Sequence, residues 1–179
     1  MEVDTVQRVP MSWEDYLALP DLEHTEWSRG SAIMSPPSSA GHGAVTANLV
    51  VVLKAGLPGL RVLVEAGLKT EHSLRGPDLM VTRDLPPGPW VETPPVLVVE
   101  ILSQSTQAED LLRKAPEYAG AGAGQYWIVD RDHRTLEVQQ LVDGHWVPMA
   151  RFDDRMPEGE VVVGDHGTVA IDLLDLLDG

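Results

Sequence analysis

The chain has 179 residues, 43% of them hydrophobic, enough to bury a core as one domain over residues 1–179. It has no cysteine, which excludes disulfides, zinc–thiolate sites and thiol nucleophiles, so any metal must be held by oxygen or imidazole. A formal charge of -15 argues against a surface that grips nucleic acid by bulk electrostatics; a nucleic-acid substrate would need locally concentrated basic groups or a divalent metal.

In chain order, Ser12 can cap a short helix through "SWEDYLALP", with Glu14 and Asp15 in its first turn and Pro20 closing it. "TEWSRGSAIMS" predicts a hairpin turning at Arg29 and Gly30, and "AGHGAVTANLVVVLKAGL" a longer helix ended by Gly56 and Pro58. "LRVLVEAG", "LKTEH" and "PDLMVT" are short, rich in β-formers and bounded by Gly or Pro, so each reads as a strand. "VLVVEIL" is a further strand, apolar except for Glu100. Thr106 to Glu109 fits a capping box, starting a helix that runs through Lys114 toward "YAGAGAG" with Pro116 inside it. "QYWIVDRDHRTLEVQQLVDGHWVPM" predicts antiparallel strands turning at Asp130–Arg134 and Asp143–Gly144, and "TVAIDLLDLLDG" a strand running into a small helix. The order predicts an α/β class, a sheet with helices packed on it. No apolar run approaches the ~20 residues that cross a bilayer, and the first residues lack a secretory pattern, so a cytoplasmic protein without a membrane partner is expected.

Nucleotide-loop, zincin and serine-hydrolase motifs are absent, and the six histidines show no ligand spacing. What stands out is Glu100 inside its apolar strand and Asp78 at the start of the strand before it. Neighbouring strands lie about 4.8 Å apart, so two acids on one face could share a cation. A buried unpaired carboxylate costs several kcal/mol or is driven neutral, and metal coordination removes that penalty. Hard oxygen ligands suit Mg²⁺, which polarises phosphoryl oxygens and makes water more acidic. Lys114 is the only lysine downstream of both acids and could orient water or stabilise developing charge. Each residue also has a plainer use: Glu100 as a buried partner of Arg or backbone amides, Asp78 as a strand or turn residue, Lys114 as the i,i+4 partner of Asp110.

The series "EW..G..IMSPPSSAGH", "PDLMV", "PPVLVVEILSQST", "D...K..EYAGAG" and "QYWIVD", from about Trp13 to about Leu141, resembles the Uma-two family of restriction-endonuclease-like proteins, within the PD-(D/E)XK nuclease superfamily. The resemblance implies a restriction endonuclease-like fold: a mixed central sheet flanked by helices, with additional antiparallel strands and the acids on two adjacent central strands. It implies Asp78 and Glu100 as acids holding Mg²⁺, with Mn²⁺ an alternative, helped by the carbonyl of Ile101 or by Glu26. The superfamily lysine would stand at position 102, which is Leu102; Lys114 matches the relocated lysine of the Uma-type proteins. His42 matches the family histidine after "SPPS" and is expected to orient a neighbour or pack near the helix start instead of binding metal. Ser103 and Thr106 are expected to shape and cap the turn, and Tyr118, Tyr126 and Trp127 to fill the core. Ser28, Arg29 and Gln125 depart from the family's usual residues.

The implied activity is a metal-dependent endonuclease acting on DNA, as a homodimer, with Arg29, Lys54, Arg75, Arg83 and Arg113 as candidate DNA contacts. The alternatives are a catalytically inactive nuclease-fold module used for assembly or regulation, which the net acidity favours, and a small-molecule hydrolase using the same metal.

Overall fold

Strand β8 (Leu97–Leu102) is apolar on both faces because both are covered. Leu97, Val99 and Ile101 pack in one cluster with Val45, Leu49 and Leu53 of helix α2 (Ala40–Gly56). Val98 points the other way, into a second cluster with Met80, Tyr118, Tyr126 and Ile128. Side chains alternate with period two, so Glu100 lies on the second face with Val98. The computed structural model describes residues 6–20, 22, 25–103 and 107–179.

Strand β8 is central in a six-stranded sheet, between β9 (Gln125–Asp130) and β7 (Leu79–Thr82), with β10 (Thr135–Val142) and β11 (His145–Phe152) beyond β9 and β4 (Arg61–Val64) beyond β7. The β8–β9 pair is parallel and the others antiparallel, so the sheet is mixed as expected. A second, five-stranded sheet joins β1 (Gln7–Pro10), β3 (Ser31–Met34), β2 (Thr25–Ser28), β6 (Ser73–Arg75) and β5 (Leu68–Lys69). Helix α1 (Trp13–Leu17) begins at Ser12, whose hydroxyl accepts the Asp15 N–H, and Trp13 and Tyr16 pack over this sheet with Trp27 and Trp90. The hairpin β12 (Glu158–Val163) and β13 (Gly167–Asp172), followed by α5 (Leu173–Asp178), adds Val161, Val163, Val169, Ile171, Leu173 and Leu176 to the α2 cluster.

Several predicted elements differ in detail. "LKTEH" is not one strand: it turns after Lys69, where Thr70 and Ser73 hydrogen-bond through their side chains, and returns as β6. Strands β1 and β12 have no counterpart in the sequence pattern, since both are largely exposed and lack the alternation that marks a half-buried strand. The run predicted as one helix has three parts: α3 (Gln107–Glu109), a π-helical turn (Asp110–Lys114) and α4 (Ala115–Gly120). Ala115 N–H donates to the Asp110 carbonyl, an i→i−5 bond. The next residue, Pro116, has no N–H and its ring would clash with the carbonyl four residues back, and the wider turn accommodates it. Thr106 of the predicted capping box lies outside the described residues, and Glu109 turns to Arg8 and Arg75.

Candidate active site

The register Leu79↔Val99 continues one step to place Asp78 across from Glu100. Alternation then puts both acids on the face of Met80 and Val98. Asp78 Oδ2 accepts the Ile101 N–H at 2.6 Å, which locks it to the β8 backbone beside Glu100. Its Oδ1 lies 3.1 Å from His42 Nε2, and His42 sits in the first turn of α2, capped by Ser39. The hydrogen bond to Asp78 holds the His42 pKa above its ordinary value, against the opposing effect of burial. Of the two uses expected for His42, this contact is with a neighbour, Asp78.

Lys114 reaches the same place from the π turn. Its Nζ lies 3.2 Å from Glu100, 3.1 Å from Glu26 and 3.2 Å from Asp110. The i,i+4 pair with Asp110 is thus formed, but both side chains are buried, so it is no surface ion pair of a few tenths of a kcal/mol. Tyr118 donates its hydroxyl to Glu100 Oε1, so this core aromatic is also a polar partner of the site. Burial pushes the Glu100 carboxyl well above the usual range; Lys114 opposes this, and Asp110 and Asp78 add to it. Burial alone would lower the Lys114 pKa, but Glu100, Glu26 and Asp110 more than offset that and hold the ammonium charged.

Glu26 joins this group to a second. Its Oε1 accepts the Gly76 N–H at 2.8 Å and its Oε2 accepts from Arg75 Nη1 at 2.9 Å. Arg75 is 1% exposed and also meets Glu117 at 2.5 Å and Glu109 at 3.0 Å. Arg75 is consequently withdrawn as a DNA contact: its fork of donors is spent on carboxylates inside the protein. Lys54 and Arg83 stand at the far end of the sheet. At ~1.5 Å per residue, Lys54 is about 18 Å along α2 from His42, and Arg83 follows the end of β7 opposite Asp78. Arg29 and Arg113 are exposed, near Glu117 and Glu109.

His42, Asp78, Glu100, Ile101, Glu26 and Lys114 all line one open cavity of about 1010 Å³. Glu26, Glu100 and Asp110 share the one ammonium of Lys114, with Asp78 beside them, so this corner of the cavity gathers more carboxylates than that ammonium can pair, a setting suited to a divalent cation. The donors are hard oxygens, which suits Mg²⁺ or Mn²⁺. Among the described residues, no group of three or more His, Asp and Glu is arranged to hold a metal by itself. Mg²⁺ sites built on one or two carboxylates, completed by water and substrate, have that same sparse character.

A family model described as "Uma2: Putative restriction endonuclease" matches residues 13–170. The chain belongs to the Uma2 family. Among solved structures, this Uma2 protein is similar to a putative nuclease of the DUF820 family from Anabaena variabilis, with a TM-score of 0.77, 21% identity, and 94% of this chain and 98% of that one covered. That likeness shows the restriction endonuclease-like fold. No curated protein matches the chain. No helix among the described residues is long and apolar enough to cross a membrane.

The sequence pattern pointed to the pair of Asp110 with Lys114 but as a surface contact, and the donation from Tyr118 to Glu100 was missed. Their spacing was a usable signal: Asp110, Lys114 and Tyr118 stand four apart. Glu109, Arg113 and Glu117 form a neighbouring series with the same spacing.

Proposed function

We propose that this Uma2 protein is a metal-dependent endonuclease that hydrolyses phosphodiester bonds in DNA. The observation that carries the reading is the cross-strand placement of Asp78 and Glu100 on one face, open to the cavity, with Lys114 against Glu100. Asp78, Glu100 and the carbonyl of Ile101 would hold Mg²⁺ or Mn²⁺. When bound, such an ion supplies Lewis-acid stabilisation of charge developing on a phosphoryl oxygen.

The chain's own residues do the rest. The Ile101 amide and His42 fix both oxygens of Asp78, so the carboxylate is preorganised. Tyr118 holds Glu100 from the core side. Lys114, kept protonated by its acids, would orient the attacking water and offset charge on the scissile group. Glu26 positions Lys114 and is itself held by Arg75 and the Gly76 amide.

A plasmid-nicking assay with Mg²⁺ or Mn²⁺ tests this, on wild type, Glu100→Gln and Lys114→Gln, each checked for folding by its melting curve. Metal-dependent cleavage lost in both variants is expected. Cleavage that survives in folded Glu100→Gln would refute the assignment, and no cleavage of any DNA by wild type would favour the non-catalytic module.

A further inference from the structure

The parallel register Leu102↔Asp130 brings the end of β9 level with the end of β8, where Glu100 and Ile101 stand. The residue after Asp130 is Arg131, at the carboxyl ends of two parallel strands, where α/β sheets place their ligands. The turn that presents it is anchored at both sides. Asp130 accepts the His133 N–H at 2.9 Å and meets its Nδ1 at 2.8 Å. Arg134, at a φ of 52°, is clamped by Asp154 and Asp178.

Arg131 itself lines the cavity with Asp78, Glu100 and Lys114. Its guanidinium rests on Gly41: a Cβ there would lie 2.1 Å from Nη2 and 2.8 Å from Cζ, so the glycine makes the seat. Its hydrogen bond, to Ser39 Oγ, is long at 3.4 Å. Among the described residues Arg131 enters none of the ion pairs, whereas Arg75 and Lys114 each meet three carboxylates. The cavity is otherwise lined by the acids Glu26, Glu65, Asp78, Glu100, Asp110 and Asp132, which repel a polyanion. A guanidinium without an acid partner, beside such walls, matches the geometry of a phosphate.

We propose that Arg131 docks a backbone phosphate of the substrate strand, adjacent to the phosphodiester that is cleaved. This rests on the nuclease reading above. It also answers how a chain of formal charge -15 could engage DNA: the attraction is concentrated in a cation at the cavity wall instead of being spread over the surface.

The test is fluorescence anisotropy with a labelled DNA duplex of about 20 base pairs, in Ca²⁺ to slow cleavage, across about 50–200 mM salt. Arg131→Ala is expected to weaken binding about tenfold and to lower the slope of log affinity against log salt by about 0.9, the signature of one lost phosphate contact. Arg131→Lys should recover the slope, and the remote Lys54→Ala should match wild type. Gly41→Ala keeps the charge but pushes the guanidinium off its seat, and should also weaken binding. Wild-type affinity and slope in Arg131→Ala, or wild-type affinity in Gly41→Ala, overturns the proposal while the nuclease reading stands. A wild type that neither binds nor cleaves DNA overturns both.

Discussion

Two adjacent stripes of one helical run handle buried charge in opposite ways. Glu109 and Glu117, with Glu26, enclose Arg75; Asp110, Lys114 and Tyr118 converge on Glu100. Arg75 is permanently charged, and its planar fork engages Glu117 through two nitrogens, at 2.5 and 3.3 Å. Lys114 is a compact ammonium shared by three acids, beside a Glu100 whose pKa burial raises. The first arrangement is completed by further arginines, since Arg8 and Arg113 also meet Glu109 and Arg29 lies near Glu117, so its charges are matched and it serves stability. The second has more acid than the lysine can neutralise and is suited to binding a further cation. Glu26 belongs to both, so the structural cluster holds the reactive one in place.

The largest expected effect breaks the second stripe alone. Glu100→Gln should lower metal-dependent cleavage by roughly 10³-fold, about 4 kcal/mol of transition-state stabilisation. Its melting temperature should be unchanged or higher, since the substitution removes charge from an acid-rich, buried site. Arg75→Met should do the reverse. Buried Glu109 and half-buried Glu26 and Glu117 lose the cation they share, so urea denaturation should show a loss of about 3 kcal/mol.

A smaller effect tests the turn that sets the two stripes in register. Pro116→Ala restores an N–H and frees the helix to close the π turn, rotating Lys114 away from Glu100. Cleavage should fall about tenfold, read as kcat at saturating substrate, without loss of thermal stability. The smallest is a pH effect of the first stripe. Burial raises the Glu117 pKa, but its hydrogen bonds and ion pair with Arg75 outweigh this and leave it lowered. A depressed folded pKa contributes stability above the unfolded value of about 4.3, lost as pH falls through the folded one. Acid unfolding of Glu117→Gln should therefore be less steep than that of wild type over that range.

Much of the frame was legible in the sequence. Strand β8 was visible as an apolar run, and the acid within it called for a partner whatever the fold. The turns at Arg29–Gly30 and Asp143–Gly144 were visible because the backbone there needs positive φ. The pairing of β7 with β8, which decides that Asp78 faces Glu100, came from the family resemblance, because strand register has no local signature. The Arg75 cluster was hidden, since its contacts join residues 42 and 49 positions apart, and Arg8 meets Glu109 across 101. The π turn was hinted at by Pro116 alone, and Arg131 became visible as a candidate only once β9 was known to run parallel to β8.

Calorimetric titration of Mg²⁺ and Mn²⁺ into wild type and Asp78→Asn tests the central claim most directly. Saturable binding by wild type that is lost in a folded Asp78→Asn is the predicted result. No binding by wild type, or equal binding by both proteins, would contradict it.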